Sequence, residues 1–184
     1  MDVLNKLSDK QRTLIVSLPY RVGLWVSESD TDGGDEAQAN ELTALSNIIH
    51  GFSEQVFGSE LLQYIMNETV SRKEDWQGSW AQNIEAVPDE CEQALAALRE
   101  HIDDKEVDVY SRRLMEIGEA VALAFKENQG KRSLGATIAY TISKFKAQMN
   151  KAPVKSFSQY SSISMSERKA LLKIADALEI NYII

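Results

Sequence analysis

Reactive side chains are scarce in this chain of 184 residues, which has one cysteine, two histidines and three prolines. The single cysteine, Cys91, excludes an intramolecular disulfide and a metal site built from cysteines alone, so we expect a reducing compartment, the cytoplasm. Neither His50 nor His101 stands in a catalytic or metal-binding motif, and no glycine-rich phosphate loop occurs. We therefore expect a protein that is not an enzyme.

Long apolar runs and a basic charge balance are also absent. No run approaches the roughly 18 uninterrupted apolar residues of a membrane-spanning helix, and the N-terminus lacks the pattern of a secretion signal. The 28 acidic side chains outnumber the 20 Lys and Arg, which gives a net charge of −8. Because binding to phosphates requires a basic surface, we expect a protein partner or a cation and no nucleic acid, while a homo-oligomer stays open.

The residues that are present favour helices throughout. Apolar positions recur mostly at intervals of three and four, and the 43% hydrophobic content is enough for one substantial core. We predict an all-α fold: a single domain over residues 1–184, built as a bundle of about seven to nine helices. Within it, we expect a first helical hairpin at about 9–52 and a second at about 104–180, with a basic helical insert at about 131–155.

Several helix ends carry local signals. Ser8 can cap a helix that continues to about Ser29, and Pro19 starts a new helix or kinks this one. Ser164 and Glu167 have the spacing of a capping box and predict the start of the last helix.

Two tryptophans stand one helical turn apart in the middle of the chain. Trp76 and Trp80 are expected to share one face of a helix at about 75–82. Core packing is the favoured interpretation, since large aromatic side chains mainly supply buried area, and a ligand platform is the alternative. The apolar residues 180–184 are expected to pack back onto the body of the protein.

The two halves of the chain repeat a pattern. Gly23 and Val26 are spaced like Gly118 and Val121, and a second set of four positions recurs as Glu41, Ala44, Leu45 and Ile48, then as Glu167, Ala170, Leu171 and Ile174. We predict a pseudo-duplicated helix-turn-helix core in which Glu41 and Glu167 occupy equivalent places at the starts of two helices. Chance similarity of common helical residues is the alternative.

An acidic turn separates the first two long helices. Six carboxylates and no Lys or Arg occur from Glu28 to Glu41, around the helix-breaking pair Gly33-Gly34. The spacing does not fit a calcium-binding EF-hand loop, because no register places both glycine and the last glutamate correctly. A looser site for calcium, magnesium or manganese, with Asp30, Asp32, Asp35 and Glu41 as ligands, is one interpretation. A solvated turn that favours the start of the next helix is the other.

These motifs together resemble those of the TerB-like domains linked to tellurite resistance. The resemblance rests on the Asp-x-Asp-Gly turn, the following Ala-Leu-x-x-Ile helix and the late Ser-Met-Ser-Glu-Arg helix, and it covers roughly 18–52 and 104–180. It implies an all-helical, pseudo-duplicated fold whose acidic residues bind metal, and a binding or scaffold module in tellurite-resistance or stress-response systems. The second half has Phe125 to Gly130 in place of the family's acidic turn. The alternatives are a metal-assisted enzyme of unknown substrate and a protein-interaction domain without metal.

One segment has the opposite charge. From Lys126 to Lys155 there are seven basic side chains and one acidic one. This segment could dock an acidic partner, nucleic-acid phosphate or the acidic turn of another copy, whereas a solvated helix face is the simpler interpretation.

Overall fold

The structure, a computed structural model, describes residues 2–29, 35–55, 59–127 and 163–182. These ranges contain seven α-helices and three short 3-10 turns and no β-strand, which confirms the all-α prediction. The helices are α1 (Asp2–Lys6), α2 (Asp9–Glu28), α3 (Asp35–Glu54), α4 (Glu60–Ser71), α5 (Val87–Arg99), α6 (Asp104–Glu127) and α7 (Met165–Ala177); the 3-10 turns are Lys73–Asp75, Ser79–Ala81 and Ile84–Ala86.

Helices α2 and α6 form the centre of the fold, and α3, α4, α5 and α7 each pack against both of them. Buried apolar side chains from all seven helices belong to one core cluster. The central position of α2 is seen in its burial, since almost every residue from Ile15 to Ser27 is buried. The predicted basic insert at 131–155 lies outside the described residues, and the single-domain assignment stays a prediction.

The crossing of α2 and α6 depends on two glycines. A β-carbon at Gly23 would stand 3.4 Å from Cγ2 of Val121 and 3.5 Å from Cγ2 of Ile117, and it would overlap Cδ1 of Leu45 on α3. The absence of a side chain at Gly23 therefore lets α2 approach α3 and α6 at the same point.

Gly118 on α6 has matching neighbours. A β-carbon there would stand 3.4 Å from Cγ1 of Val22, 3.4 Å from Cγ2 of Val26 and 3.3 Å from Cδ2 of Leu171 on α7. Each glycine thus faces two β-branched side chains of the opposite central helix and one leucine of the helix that follows in its own half of the sequence.

The predicted caps are observed at both ends of the chain. Ser8 and Ser164 each form a capping box, in which the hydroxyl accepts a hydrogen bond from the third helical backbone N–H, at Gln11 and Glu167 respectively. Pro19 lies inside α2, which continues on both sides of it. The prediction that both repeat glutamates begin a helix holds for Glu167 but is wrong for Glu41. Helix α3 begins at Asp35, because acidic residues favour the first turn of a helix.

The region of the two tryptophans differs from its prediction. Residues 75–82 do not form an α-helix. The chain there passes through short 3-10 segments that are joined by hydrogen-bonded turns. Core packing of the tryptophans is confirmed, since Trp76 and Trp80 are both 3% exposed. The C-terminal residues Ile180 and Tyr182 pack against the core, as expected.

Candidate binding site at the acidic turn

The predicted acidic turn falls between α2 and α3, and one hydrogen bond joins the two helices beside it. Ser27, in the last turn of α2, is buried and donates its hydroxyl to Oε2 of Glu41 on α3 at 2.8 Å. Glu41 itself is half-buried. This bond holds a carboxylate beside the end of α2 and leaves the second carboxylate oxygen, Oε1, for another partner.

The other predicted ligands are placed less completely. Asp30 and Asp32 lie outside the described residues, and Asp35 is the first residue of α3, with its side chain also outside them. Of the four predicted ligands, the structure therefore positions the side chain of Glu41 alone. Within the described ranges, no three His, Cys, Asp or Glu side chains converge in a way that could hold a metal ion.

Glu28 contributes negative charge next to this turn. Partial burial raises the pKa of the Glu28 carboxyl, and the nearby carboxylate of Glu85 raises it further. The charge of Glu28 also acts on Tyr20, whose pKa is raised to about 12 mainly by burial and in addition by Glu28.

Cys91, His50 and His101 are the residues that could support covalent or acid–base chemistry, and each is buried or lies against other groups of the protein. Cys91 is fully buried on α5, and burial together with Glu90 raises the pKa of its thiol. A buried thiol that stays protonated is a poor nucleophile. His50 places Nδ1 2.7 Å from the carbonyl oxygen of Ser46 and its ring edge against Trp76, and Nε2 of His101 lies 4.0 Å from Glu100.

A buried arginine is the main feature that the sequence analysis missed. Arg21 on α2 is 5% exposed, and its guanidinium donates to Oε2 of Glu90 at 2.8 Å and to three backbone carbonyls. Those carbonyls belong to Trp80, Gln82 and Asn83. A positive charge inside an otherwise buried stretch of α2 was a signal for this contact, although the sequence did not indicate its partners.

A second buried polar contact lies at the C-terminus. The carboxylate of Glu119, fully buried on α6, accepts a hydrogen bond from the hydroxyl of Tyr182 at 3.1 Å. Burial, followed by the charge of Glu119, raises the pKa of Tyr182. The apolar pattern of α6 predicted a buried helix, but it did not predict that a glutamate would be part of the buried face.

Comparison with protein-family models, with curated proteins and with solved structures finds no match to this chain. The resemblance to TerB-like domains is therefore carried by the sequence motifs alone. Among the described residues, no helix combines the length and the apolar character that crossing a membrane requires.

Proposed function

We propose that this chain is a TerB-like, pseudo-duplicated helical domain of the cytoplasm that acts as a non-catalytic binding or scaffold module. In this proposal a divalent cation, bound by Asp30, Asp32, Asp35 and Glu41, regulates the module. The systems it would serve are those of tellurite resistance or stress response.

The matching surroundings of the two glycines support the duplication. Gly23 lies against the α6 side chains Ile117 and Val121, while Gly118 lies against the α2 side chains Val22 and Val26. Aligning Gly23 with Gly118 makes these pairs equivalent. Leu45 and Leu171 correspond in the second set of repeated positions, although Leu171 follows its glycine at a distance 31 residues longer. Two hairpins related by a pseudo-twofold axis would make such reciprocal contacts, because each central helix would see the other from the same direction.

The hydrogen bond from Ser27 to Glu41 is the observation that carries the metal site. It orients a carboxylate at the base of a turn whose sequence is otherwise acidic, in the way that ligand carboxylates are themselves held by second hydrogen bonds. Hard divalent cations bind sets of carboxylates, carbonyls and waters that converge on one point, and the proposal places Asp30, Asp32 and Asp35 in such a set with Glu41. The buried, protonated thiol of Cys91 supports a binding role over covalent chemistry.

Thermal unfolding tests this proposal. We expect calcium, magnesium or manganese at millimolar concentration to raise the melting temperature of the parent chain relative to EDTA. A ligand that binds the native state alone adds about 2.7 kcal/mol at a hundredfold excess over its dissociation constant, which is a rise of about 5–11 °C for a chain of this size. The double variant Asp30→Asn/Asp32→Asn should lose that rise and, in EDTA, should melt at or above the parent because repulsion is relieved.

The matched control is Asp89→Asn/Asp176→Asn, which removes two charges from exposed positions on α5 and α7. It should keep the full response to the cation. No rise with any of the three cations, or equal loss of the rise in both double variants, would leave a solvated acidic turn and refute the metal site.

A further inference from the structure

The turn of α2 that precedes Pro19 contains a backbone carbonyl without a helical donor. Proline has no backbone N–H, so the carbonyl of Ile15, four positions earlier, lacks the hydrogen bond that a regular α-helix supplies. Ile15 is 0% exposed, so solvent does not supply that bond instead. Because an unpaired acceptor in the core is costly, this carbonyl needs a donor from another part of the protein.

Hydroxyl groups from two other helices reach this turn. Tyr110 of α6, which is 1% exposed, donates to the carbonyl of Ile15 at 2.8 Å. The hydroxyl of Thr69 on α4 lies 2.7 Å from the carbonyl of Val16 and 2.9 Å from a carbonyl of its own helix, so its single hydrogen is shared between two acceptors. The carbonyl that has lost its helical donor is therefore the one that the tyrosine occupies.

The surroundings of Tyr110 keep its hydroxyl in the donating form. Burial, followed by the nearby thiol of Cys91, raises the pKa of Tyr110 well above its ordinary value, so the hydroxyl keeps the proton that Ile15 accepts. The ring of Tyr110 belongs to the core cluster and supplies apolar packing as well. Removing the hydroxyl alone, as in Tyr110→Phe, therefore separates the hydrogen bond from the packing.

The bond also depends on how the two central helices lie against each other. Gly23 and Gly118 mark their crossing, where each glycine faces apolar side chains of the opposite helix. Apolar burial is non-directional, whereas a hydrogen bond requires a narrow range of distance and angle. A shift of α6 along α2 by one helical turn, about 5.4 Å, would take the Tyr110 hydroxyl out of reach and leave the carbonyl of Ile15 buried and unpaired.

We propose that Pro19 and Tyr110 form a lock between α2 and α6. The proline frees an acceptor within α2 and the tyrosine fills it from α6, so the effect of each residue depends on the other. The bond fixes the position of α6 along α2, which apolar contacts at the glycine crossing define less strictly. This conformational device stands apart from the proposed metal site and binding role, because neither residue takes part in them.

A double-mutant cycle, measured by urea unfolding of the full chain in EDTA, tests the lock. Tyr110→Phe should lower the folding equilibrium constant about thirtyfold in the parent, because it leaves the carbonyl of Ile15 without a donor. In the Pro19→Ala background the new backbone N–H takes over that carbonyl, so the same substitution should lower the constant only about threefold. The coupling between the two positions is then about tenfold.

Ser17→Ala is the matched control. Ser17 also donates its hydroxyl to a carbonyl of this turn, that of Leu14 at 2.9 Å, but the N–H of Leu18 is present as the helical donor for that carbonyl. The effect of Ser17→Ala should therefore agree within about twofold between the parent and Pro19→Ala. In the parent alone, Tyr110→Phe should lower the constant about tenfold more than Ser17→Ala does, a comparison that stands even if Pro19→Ala does not fold.

NMR tests whether the lock fixes the position of α6. A β-carbon at Gly118 would lie 3.4 Å from a methyl carbon of Val22 and from one of Val26, so the α-hydrogens of Gly118 should show nuclear Overhauser effects to these methyl groups in the parent. Tyr110→Phe should weaken these effects, and adding Pro19→Ala should restore them. An equal cost of Tyr110→Phe in both backgrounds, or nuclear Overhauser effects that Tyr110→Phe leaves unchanged, would overturn the proposal.

Discussion

Arg21 shows how one side chain can hold a whole segment. Trp80 lies in the 3-10 turn Ser79–Ala81, and Gln82 and Asn83 join this turn to the next one. The backbone carbonyls of all three residues accept hydrogen bonds from one guanidinium. Asn83 adopts a left-handed conformation, with φ of 49°, that a non-glycine residue adopts rarely. The planar fork of five N–H donors suits this task, whereas the three donors of a lysine ammonium cannot reach the same set.

We expect Arg21→Lys to lower the free energy of unfolding by about 2–4 kcal/mol, because lysine cannot replace all of the hydrogen bonds that Glu90 and the carbonyls of Trp80 and Gln82 accept from Arg21. Urea unfolding measures the loss, and amide hydrogen exchange should show faster exchange over residues 79–86. The control is Arg112→Lys, whose arginine contacts Asp108 at 3.3 Å on the surface and should change stability by about 0.5 kcal/mol or less. Equal effects of the two substitutions would mean that the Arg21 contacts do not hold the segment.

At the scale of helices, the two central glycines have neighbours of the same kind, but these neighbours are not equally close. A β-carbon at Gly118 would be 3.3 Å from Leu171, a tight contact that a small shift relieves, whereas at Gly23 it would overlap Leu45, which is fully buried. Alanine is intrinsically better than glycine inside a helix by about 1 kcal/mol, so the two effects oppose each other. The steric term should win only at Gly23.

Alanine substitutions at the two positions test this difference. Gly23→Ala should destabilise the protein by about 1–3 kcal/mol, the usual cost of overpacking, while Gly118→Ala should stay within about 1 kcal/mol of the parent. Urea unfolding compares them, and Leu45→Val should partly restore the Gly23→Ala variant by removing the overlapping methyl group. Similar losses for both alanine variants would show that the two crossings are equally tight.

For the whole molecule, Cys91 provides a probe of global opening. It is fully buried on α5 within the core cluster, and burial, followed by Glu90, raises the pKa of its thiol. A raised thiol pKa contributes stability that is fully present below the unfolded pKa of about 8.5 and declines as the pH rises above it, because the unfolded chain then loses a proton that the native chain keeps.

We therefore expect a disulfide reagent at pH 8 to label Cys91 at least about 10³-fold more slowly in the native protein than in urea, since labelling must wait for unfolding. Native stability should also fall between about pH 8 and pH 10. The matched control is Ser166→Cys, which adds an exposed thiol on α7 that should react at similar rates with and without urea. Fast labelling of both thiols in the native protein would contradict the burial of α5.

Local sequence signals predicted individual elements well where the interactions that form them lie within one helical turn. Ser8 and Ser164 were expected to cap helices, and both form capping boxes, because the hydroxyl and the N–H that it accepts from lie within one helical turn. The α-helix predicted for residues 75–82 was wrong. Trp76 and Trp80 have helical spacing, but Trp76 stacks on Tyr20 of α2 and the carbonyl of Trp80 accepts a hydrogen bond from Arg21. These tertiary contacts hold the backbone in 3-10 turns and override the local pattern.

The same contrast between local and tertiary signals applies to the candidate metal site. The sequence alone predicted a site in the acidic segment 28–41 with Glu41 as one ligand, since charge density is visible along the chain. It could not supply Ser27 as the donor that orients Glu41, because the two residues meet only when α2 and α3 pack.

By itself, then, the sequence determined the helical class, the helix caps, the acidic charge of residues 28–41 and the pattern that recurs around Gly23 and Gly118, because each depends on residues close together in the chain. Tertiary structure decided which polar side chains are buried and what they contact. Arg21 reaches carbonyls about 60 positions away, Glu119 meets Tyr182 across 63 positions, and Tyr20 stacks on Trp76. Such partners are chosen by the packing of whole helices, which brings together groups that no spacing along the chain relates.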